Sequence, residues 1–206
     1  MACATCGLPL RAPAADAGTG APQIVESGNP RCDACRRSPP PLMHVVAPFL
    51  YAPPLDRWVP RFKFHHDLAA GRLLSQMMLA ACAAAPRPDA LVPVPLHRSR
   101  LRSRGYDQAL ELAKPLAHGL ALPLRADLLA RTRKTTAQSL LHATERHGNL
   151  RGAFAISPAS TSRTLPAHVA LIDDVMTTGA TLHAAAHALL DAGIARVDAW
   201  ACARTP

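Results

Sequence analysis

The stretch LIDDVMTTGAT, residues 171–181, decides the fold of this chain. The apolar run VALI leads into two adjacent carboxylates, Asp173 and Asp174, and predicts a buried strand that ends at the acids. A hydroxyl-rich turn at residues 177–181 follows and opens a segment that predicts a helix. Strand, acid pair, polar turn and helix in this order predict an α/β unit whose ligand site lies where the strand ends.

The chemistry of this stretch suits a sugar phosphate. The start of a helix offers unpaired backbone N–H groups and the positive end of the helix dipole, and both favour a phosphate. The hydroxyls of Thr177, Thr178 and Thr181 add donors, and Gly179 lets the backbone close around a ligand. The acid pair can accept hydrogen bonds from neighbouring ribose hydroxyls. The alternative is an ordinary buried strand with a polar turn.

The composition indicates a basic α/β protein. The chain has 206 residues, of which 49% are hydrophobic, and a formal net charge of +9. The charge favours anionic ligands, either phosphates or nucleic acid, whereas an aromatic content of 4% weakens the case for a base-stacking surface. The sequence has neither an apolar run of membrane-spanning length nor a signal-peptide core, so we expect a cytoplasmic protein without membrane insertion.

The chain divides into two predicted parts. Residues 1–42 hold four of the six cysteines, are rich in Pro, Gly and Ala, and end in a stiff proline run. Residues 43–206 alternate predicted strands and helices, which indicates a doubly wound, mostly parallel sheet. The predicted strands lie near residues 45–51, 90–94, 128–131, 153–156, 169–172 and 197–203, and the predicted helices near residues 55–64, 69–84, 107–120 and 180–192. Residues 96–106 are predicted to be a basic loop.

Two cysteine pairs predict a structural zinc site in the first part. The pairs have the CxxC spacing, so each can supply two thiolates to one tetrahedral Zn²⁺. A small segment with few apolar residues needs such a site to fold. Redox disulfides or unused thiols are the alternative. The predicted ligands are Cys3, Cys6, Cys32 and Cys35, whereas Cys82 and Cys202 are predicted core residues.

The predicted loop at residues 96–106 carries a concentration of positive charge. Guanidinium groups bind phosphate oxygens in a bidentate manner and stabilise charge that develops on a leaving group. Arg100, Arg102 and Arg104 are therefore candidates for binding a pyrophosphate, and Gly105 adds a backbone donor. A patch for nucleic acid and a solvated surface loop are the alternatives.

Two further segments supply candidate cations. Residues 131–154 are polar and positive and connect two predicted strands, which is the pattern of a mobile loop that closes over an anionic substrate. This segment contains Lys134. Lys63 lies between two phenylalanines on a predicted helix, where it points either into a pocket or along the surface.

The motif at residues 171–181 resembles the phosphoribosyl pyrophosphate (PRPP) motif of type I phosphoribosyltransferases. The resemblance implies that Asp173 and Asp174 hold the ribose hydroxyls. It also implies that a run of small and hydroxyl-bearing residues wraps the 5′-phosphate, and these are Thr177, Thr178, Gly179, Ala180 and Thr181.

Nearly the whole chain is similar to the competence protein ComF family, which includes the GntX-type proteins. The similarity rests on the CxxC pairs, on residues 62–64, on VPVPLH at residues 92–97, on residues 102–108, on the pattern Arg131…Gln138…Arg146…Asn149…Phe154 and on IDDVMTTGAT at residues 172–181. The family commonly has Asn where this chain has Asp107. Membership implies a type I phosphoribosyltransferase domain behind a zinc ribbon, with a pyrophosphate loop at residues 92–108 and a flexible catalytic loop at residues 131–154.

Three functions follow as expectations. The first is a transferase that uses PRPP with Mg²⁺, in natural competence and DNA uptake, with PRPP-binding residues that include Lys63. Its predicted catalytic residues are Asp173, Asp174, Lys134 and Arg104. The second is a catalytically silent scaffold that binds single-stranded DNA or a DNA-uptake helicase through its basic loops and zinc ribbon. A purely protein-binding role of the ribbon is a third.

Overall fold

A computed structural model of the chain describes residues 1–10, 30–133, 152–160 and 164–206. The predicted catalytic Lys134 and most of the predicted catalytic loop lie outside the described residues. None of the helices in the described ranges has the length and the apolar character that a membrane span requires.

The described residues form six α-helices and seven β-strands. The helices are Asp33–Arg37 (α1), Leu55–Phe64 (α2), Leu68–Ala83 (α3), Arg98–Arg104 (α4), Gln108–Gly119 (α5) and Ala180–Asp191 (α6). The strands are Val45–Val46 (β1), Phe49–Leu50 (β2), Ala90–Pro93 (β3), Leu129–Arg131 (β4), Phe154–Ile156 (β5), His168–Met176 (β6) and Arg196–Arg204 (β7).

The main sheet is parallel and is organised around the two nine-residue strands. Its order is β1-β7-β6-β3, and β2 also pairs with β7. Every pairing in this sheet is parallel. The carboxyl ends of the strands therefore meet at one edge, which is where ligands bind in sheets of this kind. β4 and β5 form a separate antiparallel pair beside it.

Both faces of the sheet are covered, because successive residues of a strand point to opposite faces. Val169 and Leu171 of β6 belong to an apolar cluster with residues of α6, whereas Ala170 and Ile172 belong to a second cluster with residues of α2, α3 and α5. All four side chains are fully buried. The α/β class with a doubly wound parallel sheet is confirmed.

Two predicted strand boundaries were wrong. β6 does not end at the acids but runs on to Met176, because β7 continues to offer it a parallel partner up to Arg204. The strand predicted at residues 45–51 is split into β1 and β2, with Pro48 between them. Proline has no N–H to donate to the ladder, which explains the interruption.

The basic loop predicted at residues 96–106 was also wrong in part, because it contains helix α4. His97 caps the start of α4, since its Nδ1 accepts a hydrogen bond from the Ser99 N–H at 3.2 Å. Gly105 ends α4 with a φ of +77° and donates its N–H to the Leu101 carbonyl. Arginine is a good helix former, and the charge density of the segment hid this signal.

Helix α2 lies close to α3, and this packing fixes the position of Lys63. A Cβ at Gly71 of α3 would stand 2.3 Å from the ring of Phe62, which is fully buried. Only glycine permits this approach. Because Lys63 follows Phe62 directly, the contact also fixes the backbone from which the Lys63 side chain extends.

The cysteine-bearing segment is attached to one edge of the main sheet. The Val45 N–H donates to the Ala4 carbonyl at 2.7 Å, and Arg204 Nε donates to the Cys6 carbonyl at 2.9 Å. The division into parts at residue 42 stays a prediction.

Candidate functional site

A cleft of about 710 Å³ opens at the carboxyl edge of the main sheet. Residues from six parts of the chain line it: the residue after β2, α2 with the turn that follows it, the segment from β3 to the start of α5, β4, the end of β6 with the turn after it, and the residue after β7. Its charged lining residues are Lys63, Arg100, Arg104, Asp107, Arg131, Asp173 and Asp174. Four cations face three carboxyl groups, so the cleft favours an anionic ligand.

The acid pair lies at the base of this cleft and is held by Lys63. Lys63 Nζ stands 2.9 Å from Asp174 Oδ1, and only 7% of Asp174 is exposed. The Asp174 N–H donates to Asp173 Oδ1 at 2.9 Å. Burial would lower the pKa of Lys63, but the charges of Asp174 and Asp173 outweigh it and raise the pKa. Lys63 is therefore a charged partner of the acids rather than a surface residue.

The two carboxyl groups are not equivalent. Burial and the neighbouring charge of Asp174 raise the pKa of Asp173 to about 7, although Lys63 acts in the opposite direction. Asp174 has Lys63 as a direct ion-pair partner. Near neutral pH one acid of the pair is thus poised to gain or lose a proton when a ligand changes the local charge.

The turn between β6 and α6 forms a recess beside the acids. Gly179 has a φ of +81°, and a Cβ there would lie 2.7 Å from Met176 Cε. Thr177 and Thr181 line both the recess and the cleft, and Gly179 and Ala180 line the recess. The Thr178 hydroxyl is directed to the turn itself, since it accepts from the Ala180 N–H at 3.4 Å.

The arginines of α4 divide between two faces of the helix. Arg100 and Arg104 line the cleft, as residues four apart on a helix share one face. Arg102 is exposed and, with Gly105, does not line the cleft. Arg104 donates to Gln108 Oε1 at 2.7 Å, and its Cζ lies 4.9 Å from the centre of the Phe64 ring. The side chain of Arg104 is therefore fixed from two sides.

Some lining residues were missed as site residues by sequence reasoning. Asp107 caps the start of α5, because its Oδ1 accepts from the Leu110 N–H at 3.2 Å. Its Oδ2 also accepts from the Leu96 N–H at 2.7 Å, which ties α5 to the start of the basic segment. Tyr51 and Thr205 reach the cleft from distant parts of the chain, and the sequence holds no signal for them.

The four predicted ligand cysteines come together away from the cleft. Their Sγ atoms all lie within 4.8 Å of one another, Cys6 Sγ and Cys32 Sγ are 3.8 Å apart, and none forms a disulfide. Tetrahedral Zn²⁺ with Zn–S bonds of about 2.3 Å places its sulfurs about 3.8 Å apart. The cluster of Cys3, Cys6, Cys32 and Cys35 thus fits a metal such as zinc.

Hydrogen bonds inside the cluster favour a thiolate. Burial raises the pKa of the Cys3 thiol, but hydrogen bonds from the Cys32 N–H and from Thr5 outweigh it and lower the pKa to about 6. Cys82 and Cys202 lie in the core as predicted, where burial raises the pKa of each thiol to about 12.

Comparison with known proteins gives three informative relatives, whereas no family model matches the chain. The chain is 35% identical to the DNA utilization protein YhgH of Salmonella typhi over 98% of its own length and 84% of that protein. It is 33% identical to competence protein F of Haemophilus influenzae over 84% of this chain and 78% of that protein. The chain belongs to the ComF family. Competence protein ComFC of Bacillus subtilis is 35% identical to this ComF-family chain, over 50% of this chain and 39% of ComFC.

The cysteine cluster of this ComF-family protein yields the first prediction. The purified chain should carry about one zinc ion, and a chelator should lower its Tm by about 5 °C or more, because the metal holds a segment that docks on the sheet. Elemental analysis and thermal melting measure this. Cys6→Ser should lose the metal, whereas Cys82→Ala should keep it. A metal-free wild-type protein with the same Tm would contradict the assignment.

The second prediction concerns Asp173 and pH. Its folded-state pKa of about 7 lies above the value of an unfolded chain, so its protonated form stabilises the fold at low pH and this contribution is lost as the pH rises through 7. Asp173→Asn should therefore increase the free energy of unfolding at pH 8, by up to about 4 kcal/mol, and much less at pH 4. Denaturant unfolding at the two pH values measures the difference.

Asp191 is exposed, and Asp191→Asn serves as the control. It should show the same small change in the free energy of unfolding at both pH values. An Asp173→Asn variant whose effect is independent of pH would show that folding does not raise the pKa of this carboxyl group.

Proposed function

We propose that the cleft binds PRPP together with Mg²⁺ and that this ComF-family protein acts in the use of incoming DNA. One observation carries the proposal. The acid pair, the hydroxyl-rich turn at residues 177–181 (the threonine turn) and two arginines of α4 converge on a single cleft. Each of these three groups matches a different part of PRPP.

The 5′-phosphate belongs at the turn between β6 and α6. The first turn of α6 has backbone N–H groups without partners inside the helix, and its dipole favours an anion. Gly179 as N-cap keeps this end of the helix open, and the hydroxyls of Thr177 and Thr181 face the same space. The recess beside these residues is small, so a phosphate there also occupies part of the main cleft.

The ribose hydroxyls belong at the acid pair. A vicinal diol donates two hydrogen bonds, and two carboxyl groups at the end of one strand can accept them. The ion pair with Lys63 keeps Asp174 in place while leaving its second oxygen for a ligand. Negative charge at this point also stabilises a sugar C1 that becomes positive as its bond to pyrophosphate breaks.

The pyrophosphate belongs beside Arg100, Arg104 and Arg131. These three side chains line the cleft, and Arg104 is already oriented by Gln108 and Phe64. Mg²⁺ bound with the ligand would neutralise part of the charge on its phosphates. In a transfer reaction the C1–oxygen bond to pyrophosphate breaks, an acceptor forms the new bond to C1, and the arginines hold the departing anion.

The role in DNA use rests on the relatives, whose names describe DNA utilization and competence. One structural observation favours a direct contact with DNA as a second candidate function. Arg98 and Arg102 are exposed on α4, outside the lining of the cleft. Exposed arginines on one helix suit the phosphates of a DNA strand. Binding of a DNA-uptake helicase is a related proposal for the same surface and the cysteine segment.

The third prediction separates the two ligands with two variants of one helix. Arg104→Gln should weaken PRPP·Mg²⁺ binding about 10- to 100-fold, because it removes a charge-assisted contact inside the cleft. Arg102→Gln should leave PRPP binding unchanged but weaken single-stranded DNA binding and reduce its salt dependence. Calorimetry for PRPP and fluorescence anisotropy for a labelled oligonucleotide supply the two affinities.

The pair of variants makes the outcome clear. If Arg102→Gln and Arg104→Gln weakened PRPP binding equally, the ligand would not lie in the cleft. If zinc-loaded wild type bound DNA but no PRPP, the catalytically silent scaffold would be the better description.

A further inference from the structure

Arg204 connects the cysteine cluster to the turn beside the cleft. It is the last residue of β7 and only 6% of it is exposed. Its Nε donates to the Cys6 carbonyl at 2.9 Å, and its Nη1 donates to the Met176 carbonyl at 3.1 Å and to the Thr177 carbonyl. One planar guanidinium thus joins a predicted metal ligand to the first residues of the threonine turn.

The charge of Arg204 needs a partner that its hydrogen bonds do not supply. A buried cation is costly unless an opposite charge lies near it. Main-chain carbonyls accept all of its short bonds, and it forms no ion pair with a carboxylate within the described ranges. The cysteine cluster is the neighbouring group that can supply an opposite charge, since the Cys6 carbonyl already accepts from Arg204 Nε at 2.9 Å.

A metal centre of four thiolates meets this need. Four thiolates around Zn²⁺ leave a net negative charge on the centre, and Arg204 is the cation beside it. A group that contacts a metal ligand without binding the metal itself helps to orient that ligand. The turn at Gly7 also fits closely against the sheet, because a Cβ on Gly7 would lie 3.1 Å from Val45 Cγ1.

We propose that Arg204 is a positioning residue that couples occupancy of the cysteine site to the shape of the threonine turn. With metal bound, the Cys6 carbonyl and the charge of the metal centre hold the Arg204 guanidinium. The guanidinium in turn holds the Met176 and Thr177 carbonyls. Without metal, Arg204 loses both constraints and the turn loses its fixed donors. The inference extends the proposed function, since the same turn is the proposed 5′-phosphate site.

Thermodynamic coupling of this kind is reciprocal. Metal bound at the cysteines should raise the affinity of the turn for a phosphate ligand, and the ligand should raise the affinity for the metal by the same factor. The two sites share no ligand, so the effect must pass through the protein.

The fourth prediction uses amide hydrogen exchange of the zinc-loaded full chain, before and after zinc removal by a chelator. In wild type, removal should speed exchange at residues 176–181 about tenfold and leave the amides at residues 169–172 protected. Arg204→Lys keeps the charge but not the planar fork. In Arg204→Lys, the amides of the turn should exchange fast even with zinc bound, and the chelator should change their exchange rates little.

Arg196→Lys is the matched control, since Arg196 lies at the other end of β7 and pairs with Asp198. It should respond to zinc removal as wild type does. Unchanged exchange at residues 176–181 in zinc-free wild type, or a full response in Arg204→Lys, would overturn the coupling.

PRPP·Mg²⁺ affinity provides the second measurement. Cys6→Ser and Arg204→Lys should each weaken it about tenfold, and the double variant should be little worse than either, because both changes break one connection. Additive losses would overturn the inference. If zinc-loaded wild type bound no PRPP, the proposed function would fail, while the exchange measurement would still decide the coupling.

Discussion

Two carboxyl groups that share the end of one buried strand repel each other, and much of the site is arranged around that repulsion. Lys63 pairs directly with Asp174 at 2.9 Å, and Arg100, Arg104 and Arg131 line the same cleft. Burial and the charge of Asp174 nevertheless raise the pKa of Asp173 to about 7. A ligand that brings hydroxyl donors to the acids and negative charge to the arginines would stabilise both the carboxyl groups and the arginines. PRPP has both features.

The fold delivers these groups from separate parts of the chain. β6 places the acids at the carboxyl edge, the close packing of α2 on α3 at Gly71 places Lys63 opposite them, and α4 turns two of its arginines inward. The cysteine cluster lies outside the cleft, yet Arg204 connects it to the turn that borders the acids. The cysteine-bearing segment is therefore connected to the border of the site.

Local patterns in the sequence predicted the local parts of this arrangement. Strand, acids, turn and helix at residues 169–191 follow one another along the chain, so their order alone indicated the sheet edge and the recess. The arginines of α4 could not be sorted from sequence, because the charge of the segment hid the helix that turns Arg102 away from Arg100 and Arg104. The contact of Arg204 with Cys6 joins residues at the two ends of the chain, and no periodicity or motif carries such information.

We infer that the threonine turn and the acid pair hold one phosphoribosyl ligand. The most direct test is a titration of the zinc-loaded, isotope-labelled protein with PRPP·Mg²⁺, followed by the amide NMR signals of the chain. We expect saturable shifts at residues 173–181 and none at residues 195–198, which lie at the opposite edge of the sheet. The shifts at residues 173–181 should be lost in Asp174→Asn. Saturable shifts elsewhere, with residues 173–181 unmoved, would contradict it.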